Sequence, residues 1–311
     1  MHTVSAIVPV YNAAGSLAAL IDQLTVVLRG VTADYEIILV EDCGQDESWG
    51  IIESACAADR HVRGIRLSRN YGQHSALLCG IREARKDIIV TLDDDLQNPP
   101  SEIPVLLNEL ERGFDVVYGT PKKERHGLLR DVASVMTKLA LQNGMGVETA
   151  RSVSAFRAFR TRLREGFQAY QGPFVSIDVL LTWSTSRFAA VPVRHDQRAA
   201  GKSNYTLMKL FNHAFNLLTG FSTVPLQVAS MMGFVFTVFG IGVLGWVLIR
   251  YFMDGGSIPG FPFLASIIAI FSGVQLFSLG IFGEYLARIH FRTMDKPPFV
   301  VLERTQQAKE Q

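Results

Sequence analysis

Two stretches near the end of the chain, Val228–Ile249 and Phe261–Gly283, carry no charged side chain. At ~1.5 Å of rise per residue, a helix of about 22 residues reaches across a ~30 Å hydrocarbon layer. Asp254-Gly255-Gly256-Ser257 lies between the two stretches, so the pattern predicts a pair of transmembrane helices joined by a short loop. A buried helical hairpin in a soluble core is the competing arrangement. Lys202, Lys209, Arg288, Arg292 and Lys296 flank the outer ends of the pair, and the connecting loop has only Arg250 at its border. The positive-inside rule then leaves both termini in the cytoplasm. With 48% hydrophobic residues and a mean hydropathy of +0.20, the 311-residue chain is too apolar for an ordinary soluble domain.

Upstream of those helices the chain alternates short apolar blocks with amphipathic segments. Val4–Val10, Tyr35–Val40, Val62–Leu67, Asp87–Leu92 and Asp115–Gly119 read as strands; Ser16–Leu28, Glu47–Ala58, Gln73–Ala84 and Ser101–Arg112 read as helices. This order predicts a doubly wound, mostly parallel α/β sheet. Glu41 and Asp42 end the second strand, and Asp93, Asp94 and Asp95 end the fourth. In open α/β sheets ligands gather at those strand ends. Three adjacent carboxylates at the mouth of a buried strand need donors or a cation. If Asp93 to Gln97 stays extended, Asp93, Asp95 and Gln97 face one way and Asp94 the other. That all-oxygen set suits Mg²⁺ or Mn²⁺ carrying a diphosphate. A solvated acidic turn is the plainer alternative.

The string Asp93-Asp94-Asp95-Leu96-Gln97-Asn98-Pro99-Pro100, with Arg69-Asn70-Tyr71-Gly72-Gln73-His74-Ser75-Ala76 upstream, resembles the family-2 (GT-A) glycosyltransferases. More narrowly, it is similar to the membrane-anchored polyprenyl-phosphate sugar transferases, the group of dolichol-phosphate mannose synthase and the bacterial undecaprenyl-phosphate aminoarabinose and glucose transferases. The resemblance runs from about Ser5 to about Val301 and takes in the apolar pair. It implies a GT-A domain over 1–204, interfacial amphipathic helices over 205–226, two transmembrane helices over 227–287 and a cytoplasmic tail over 288–311, with Glu303–Gln311 disordered. It further implies inverting, metal-dependent transfer of a sugar from a nucleotide diphosphate sugar to polyprenyl (undecaprenyl) phosphate at the inner membrane. The product would be a lipid-phosphate sugar for cell-envelope glycan modification. A uridine diphosphate sugar is favoured over a guanosine one, and a homotetramer is the expected assembly.

By the same resemblance, Pro9, Tyr11 and Asp42 line the nucleotide pocket, and Asp93 and Asp94 hold the donor sugar. Asp95 and Gln97 are the metal ligands. Asp93, Asp95 and Arg157 form the catalytic set, Arg157 joining Arg130 and Arg198 in drawing the lipid phosphate toward the anomeric carbon, and Lys122, Arg130, Ser134, Arg198 and Ser203 bind the acceptor phosphate, the last two within an Arg-x-x-Gly-x-Ser-x-Tyr loop. Gly201 permits a tight turn in that loop, and an arginine fork suits a phosphate. Tyr205–Thr223 follows with an apolar stripe flanked by Lys209 and His213, the chemistry of a helix lying in the headgroup layer.

Three positions depart from the family. Ala13 stands where an acidic residue is usual, Cys43-Gly44 where glycine then serine are usual, and Arg151 where many relatives have an aspartate considered as a base. A general base contributes about 10²–10⁴-fold when a neutral hydroxyl must lose its proton. A phosphate monoester, with a second pKa of about 6, is already largely ionised at neutral pH. These departures leave room for a rival, a catalytically impaired relative acting as a donor-binding or lipid-binding scaffold. A processive polysaccharide synthase is disfavoured, since the chain has no Gln-x-x-Arg-Trp motif. With 30 basic against 29 acidic residues, the net charge of +1 gives no bulk attraction for nucleic acid. Cys43, Cys56 and Cys79 have no metal-ligand spacing and read as buried or semi-buried thiols in a reducing compartment. Met1–Asn12 lacks the basic start and long apolar core of a signal peptide, which points to a cytoplasmic N-terminal domain.

Overall fold

The structure is a computed structural model that describes residues 2–121, 153–172, 174–196, 224–253, 260–294 and 296–305. In chain order the elements are β1 (Thr3–Val10), α1 (Leu17–Val31), β2 (Asp34–Glu41), α2 (Ser48–Ala58), β3 (Val62–Leu67), α3 (Gln73–Glu83), β4 (Ile88–Thr91), α4 (Ile103–Glu111), β5 (Val116–Pro121), β6 (Arg157–Arg160), α5 (Ile177–Thr182), β7 (Phe188–Val193), α6 (Val224–Met253), α7 (Phe261–Thr293) and β8 (Val301–Arg304). Two compact units result, Met1–Ala214 with Asp295–Gln311, and Phe215–Met294.

The first unit is built on one sheet of eight strands among the described residues, in the order β7-β5-β6-β4-β1-β2-β3-β8. Strands β1 to β4 are parallel, and β5 pairs β7 in parallel; β6 and β8 run antiparallel to their neighbours. After β3 the chain crosses back through α3 to lay β4 on the other side of β1. The strand order therefore reverses between β1 and β4, where open α/β sheets form their crevice.

Side-chain alternation divides the core. Val4, Ala6, Val8 and Val10 of β1 join the cluster that α1, α2 and α4 cover, to which α1 adds Leu17, Leu20, Ile21, Leu24 and Leu28 at helical spacing. Ile7 turns to the opposite face and meets α3, where a Cβ on Gly80 would stand 2.4 Å from the Ile7 Cγ2 and 3.3 Å from the Val40 Cγ2. Glycine there is a packing requirement, because α3 lies directly against β1 and β2.

Pro9 explains how the crevice opens. Ile7 O accepts from Leu92 N, and Val10 O accepts from Asp42 N, so Ile7 and Pro9 turn their backbone groups toward β4 while Val10 serves β2. The β1–β4 ladder ends at Ile7 and Thr91. Proline has no N–H to leave unpaired there, which lets the two strands part without a lost hydrogen bond.

Two expectations change. The short strand β6 enters antiparallel between β4 and β5, and β8, in the stretch expected to be a free and partly disordered tail, pairs with β3 instead. Backbone groups on the outer edge of β3 need partners, and Val301–Arg304 supplies them. Cys56 and Cys79 are buried and Cys43 half-buried, all as free thiols, and burial pushes Cys79 up to about 12.

In the second unit, α6 and α7 extend beyond the uncharged stretches. Both contain spans long and apolar enough to cross a membrane, Leu226–Met253 and Ile270–Ala287. The helices pack on one another; Phe236 meets Phe271 edge to face at 6.0 Å, and the Phe271 ring also lies over Gly240. The expected interfacial stretch 205–223 and the loop Asp254–Ser257 lie outside the described residues.

Gly80→Ala is expected to destabilise the first unit by about 1–3 kcal/mol, the usual cost of overpacking a tight interface. Thermal unfolding in detergent measures it. Combined with Ile7→Ala, the loss should be smaller than the sum of the two single losses; strict additivity would mean that α3 does not press on Ile7.

Candidate active site

The carboxyl ends of β1, β2, β3 and β4 each run into a tight turn. Asn12, Cys43 and Leu96 adopt φ of 53°, 55° and 61°, and Gly72 adopts 89°. A left-handed non-glycine residue costs roughly 1–3 kcal/mol, and such residues persist where their surroundings over-determine them. Cys43 takes the strained position where the family usually has glycine.

A closed set of hydrogen bonds holds these turns. Asp94 Oδ2 accepts from Tyr11 N at 3.0 Å, and the Ser16 hydroxyl donates to Asp94 O at 2.6 Å, joining the β4 turn to the β1 turn. Asn12 Oδ1 accepts from Gln45 N at 2.7 Å, and Asp46 Oδ2 accepts from Ala14 N at 2.8 Å, joining β1 to β2. Asp42 accepts from the backbone N–H groups of Tyr71 and Gly72, each at 2.7 Å, joining β2 to the turn between β3 and α3. The Gln73 side-chain amide then donates to Asp93 Oδ1 and closes the ring at β4. Glu41, buried at the same rim, pairs with Arg66 at 3.1 Å and accepts from Gly44 N.

This geometry revises one sequence expectation and gives two predicted site residues buried protein partners. The chain does not stay extended through Asp93 to Gln97. It turns after Leu92, with Leu96 left-handed and Asp95 Oδ1 accepting from Gln97 N at 3.1 Å, so strict alternation fails. An aspartate whose side chain takes its own backbone two residues on favours such a turn over a strand. Asp42, expected on the nucleotide base, is buried with both oxygens on the β3–α3 turn. Burial raises its pKa, the Tyr71 and Gly72 N–H groups oppose that rise, and the neighbouring Glu41 adds to it.

Arg157, expected at the acceptor phosphate, is only 2% exposed and forms an ion pair with Asp178 of α5. The Tyr118 hydroxyl donates to the same Asp178 oxygen at 3.0 Å, and the guanidinium carbon lies 5.9 Å from the Tyr118 ring centroid. Burial and the Asp178 carboxylate hold the Tyr118 phenol well above its usual range. A guanidinium in a dry interior must be paired. The cluster braces β5, β6 and α5 behind β4, where Arg157 is the register partner of Thr91.

The other predicted residues that are described stand at the ends of β1 and β4. Pro9 is buried in the β1 wall, Tyr11 is 49% exposed beside it, and Arg69 stacks over Tyr71 at 4.6 Å on the facing turn. Asp93, Asp94, Asp95 and Gln97 share one half-buried turn. Lys122, Arg130, Ser134, Arg151, Arg198 and Ser203 lie outside the described residues.

Sequence inspection missed several positioning groups. Gln73 carried a signal, standing inside the Arg69–Ala76 string; Ser16, Asn12 and Asp178 carried none. Neither did the crossing of Arg194–Asp196 over the β4 turn. There Asp196 N donates to Gln97 O at 2.8 Å, and His195 Nδ1, when protonated, donates to the buried Asn98 Oδ1 at 3.2 Å.

Asp178→Ala is expected to cost about 3–5 kcal/mol, because it strands a buried guanidinium. Arg157→Met in the same chain should recover most of that loss in thermal or denaturant unfolding. No recovery would show that the pair matters for something other than its buried charge.

Residues 5–168 match Glycosyl transferase family 2. The chain is 37% identical over 302 residues to the undecaprenyl-phosphate 4-deoxy-4-formamido-L-arabinose transferase of Shewanella sediminis, covering 96% of this chain and 91% of that protein. It is 35% identical over 301 residues to the protein of the same name from Yersinia pestis, covering 96% and 92%. The crystal structure of glucosyl-3-phosphoglycerate synthase from Mycobacterium tuberculosis with Mn²⁺, uridine-diphosphate-glucose and phosphoglyceric acid shares the fold. Its TM-score is 0.52 at 17% identity, over 70% of this chain and 78% of that one.

Proposed function

Because this chain belongs to glycosyl transferase family 2, we propose that it transfers a sugar, with inversion, from a nucleotide diphosphate sugar to undecaprenyl phosphate. The product would be a lipid-phosphate sugar for modifying cell-envelope glycan. A uridine diphosphate sugar is the first donor to offer, carrying the 4-deoxy-4-formamido-L-arabinose for which the relatives are named. Helices α6 and α7 then span the cytoplasmic membrane, with the sheet-bearing unit in the cytoplasm and a homotetramer as the assembly. The observation that carries this assignment is the ring of four turns that presents Asp93, Asp95, Gln97 and Tyr11 at the point where the strand order reverses.

The donor set fits a divalent cation. Asp95 and Gln97 offer a carboxylate and an amide oxygen on one turn, and Mg²⁺ or Mn²⁺ takes few protein oxygens when substrate phosphates and water complete its shell. When bound, the cation neutralises charge on the departing diphosphate.

The chain's own groups do the rest. The Tyr11 ring offers an exposed aromatic face beside the Pro9 wall, suited to the base. Asp93, steadied by Gln73, orients the sugar together with Asp94, which also keeps Tyr11 in place through its backbone. Lys122, Arg130, Ser134, Arg198 and Ser203 draw the acceptor phosphate toward the anomeric carbon; Arg157 supports the wall behind β4 instead. Arg198 follows Asp196 by two residues, and Asp196 is already fastened to Gln97. An acceptor that arrives ionised leaves positioning and electrostatics as the main sources of rate, so Arg151 in place of a base is tolerated.

Purified protein incubated with undecaprenyl phosphate and a panel of radiolabelled nucleotide sugars should move label into the organic phase. EDTA should abolish transfer, and Mg²⁺ or Mn²⁺ should restore it. Asp95→Asn should lower turnover by about 10²-fold or more, the scale of losing one preorganised electrostatic group. Unchanged turnover in Asp95→Asn would remove that residue from the metal site.

A further inference from the structure

Strand β8 is separated by seven residues from the end of α7 and lies antiparallel on the outer edge of β3, with Ile65 opposite Arg304, Arg66 opposite Glu303 and Leu67 opposite Val301. Its side chains are exposed or only partly covered, so it adds little to the hydrophobic core. What it supplies is backbone contact at both ends of β3. Thr305 N donates to Gly64 O at 3.0 Å and the Thr305 hydroxyl accepts from Gly64 N at 2.8 Å; at the other end Ser68 N donates to Val300 O at 2.9 Å. Two contacts bind the same segment to α3. Arg304 pairs with Glu83 at 3.0 Å, and Arg82 lies 5.4 Å from the Phe299 ring centroid.

The strand held in this way carries the outermost link of the ring. Within β3, Arg66 neutralises Glu41. Immediately after it, the Ser68 and Tyr71 hydroxyls lie 3.1 Å apart, Arg69 stacks on Tyr71, and Tyr71 and Gly72 donate to Asp42 before Gln73 reaches Asp93. Ser68 thus stands between two constraints, β8 on its backbone and the ring on the residues that follow. An edge strand with no outer partner frays more readily than a paired one, and fraying at Leu67–Ser68 would release the turn that Asp42 grips.

We propose that β8 is a positioning element of the donor side: it fixes the turn at residues 68–73 and so sets affinity for the nucleotide diphosphate sugar, not the rate of the transfer step. This rests on the donor assignment made above. It also gives the segment after the second long apolar helix a task at the catalytic rim, linked to that helix by seven residues of chain.

Two full-length variants in detergent or nanodiscs test it. Glu303→Pro removes an N–H on the same hydrogen-bonding side as Thr305, and Thr305→Val removes the hydroxyl while keeping the shape. Both are expected to speed hydrogen exchange of the Tyr71 and Gly72 amides by about tenfold. They should raise the donor KM by about tenfold while kcat and the acceptor KM stay within about twofold. Thr305→Ser should restore both readouts. Unchanged exchange would overturn the proposal and leave β8 as a cover for the sheet edge, and so would faster exchange with an unmoved donor KM. If the unaltered protein transfers from no nucleotide sugar, the functional assignment fails by itself. The exchange data then still decide whether β8 holds the turn.

Discussion

Acidic side chains at the ends of buried parallel strands must be neutralised, and this fold does it largely with its own backbone. Asp94 takes the N–H of Tyr11, Asp42 takes those of Tyr71 and Gly72, and Asp46 takes that of Ala14. Each bond ties one strand's turn to another's. The carboxylates are therefore the fastenings of the rim as well as its charge. A hydrogen bond to an ionised group contributes about 1.5–3 kcal/mol, and several in a ring offset the left-handed strain at Asn12, Cys43 and Leu96. The rim is thus fastened by the chain's own groups, the kind of preorganisation that electrostatic catalysis requires.

Under the proposed assignment, residues that hold the site separate from residues that act in it. Asp42 and Arg157 belong to the first group, since each is buried and committed to protein partners. Tyr11, with its exposed ring, and Asp95 and Gln97 on their turn belong to the second. Between them stand Gln73 and the Arg194–Asp196 crossing, which touch the β4 turn from two directions and set where its side chains stand. A change in such a residue acts on geometry at the rim without removing any group from it.

The alternation of strands and helices was legible in the sequence because β-branched and apolar blocks such as Tyr35–Val40 have one stable use, a strand covered on both faces. The two long apolar helices were legible from length alone. So was the rim, because Glu41-Asp42 and Asp93–Asp95 recur at the same place in the repeating unit. The partners of those acids were not legible. Tyr11 and Asp94 meet across 83 positions, and nothing local to either one specifies the other. Arg157 looked like a phosphate ligand because its counter-ion, Asp178, arrives from a later helix. β6 and β8 were missed for a related reason. Four-residue strands such as Arg157–Arg160 and Val301–Arg304 carry too little periodicity to announce themselves, and the open edge of β3 calls β8 into place only once the sheet exists.

The central claim is that the β4 turn, held by the ring, is where a divalent cation and a diphosphate come together. Crystals grown with Mn²⁺ and uridine diphosphate, measured at the manganese absorption edge, test it directly. The account predicts an anomalous peak about 2.0–2.6 Å from the Asp95 carboxylate, the range for hard cations on oxygen ligands, with Gln97 and the diphosphate completing the shell. A peak elsewhere on the molecule, or bound diphosphate with no manganese at this turn, would contradict it.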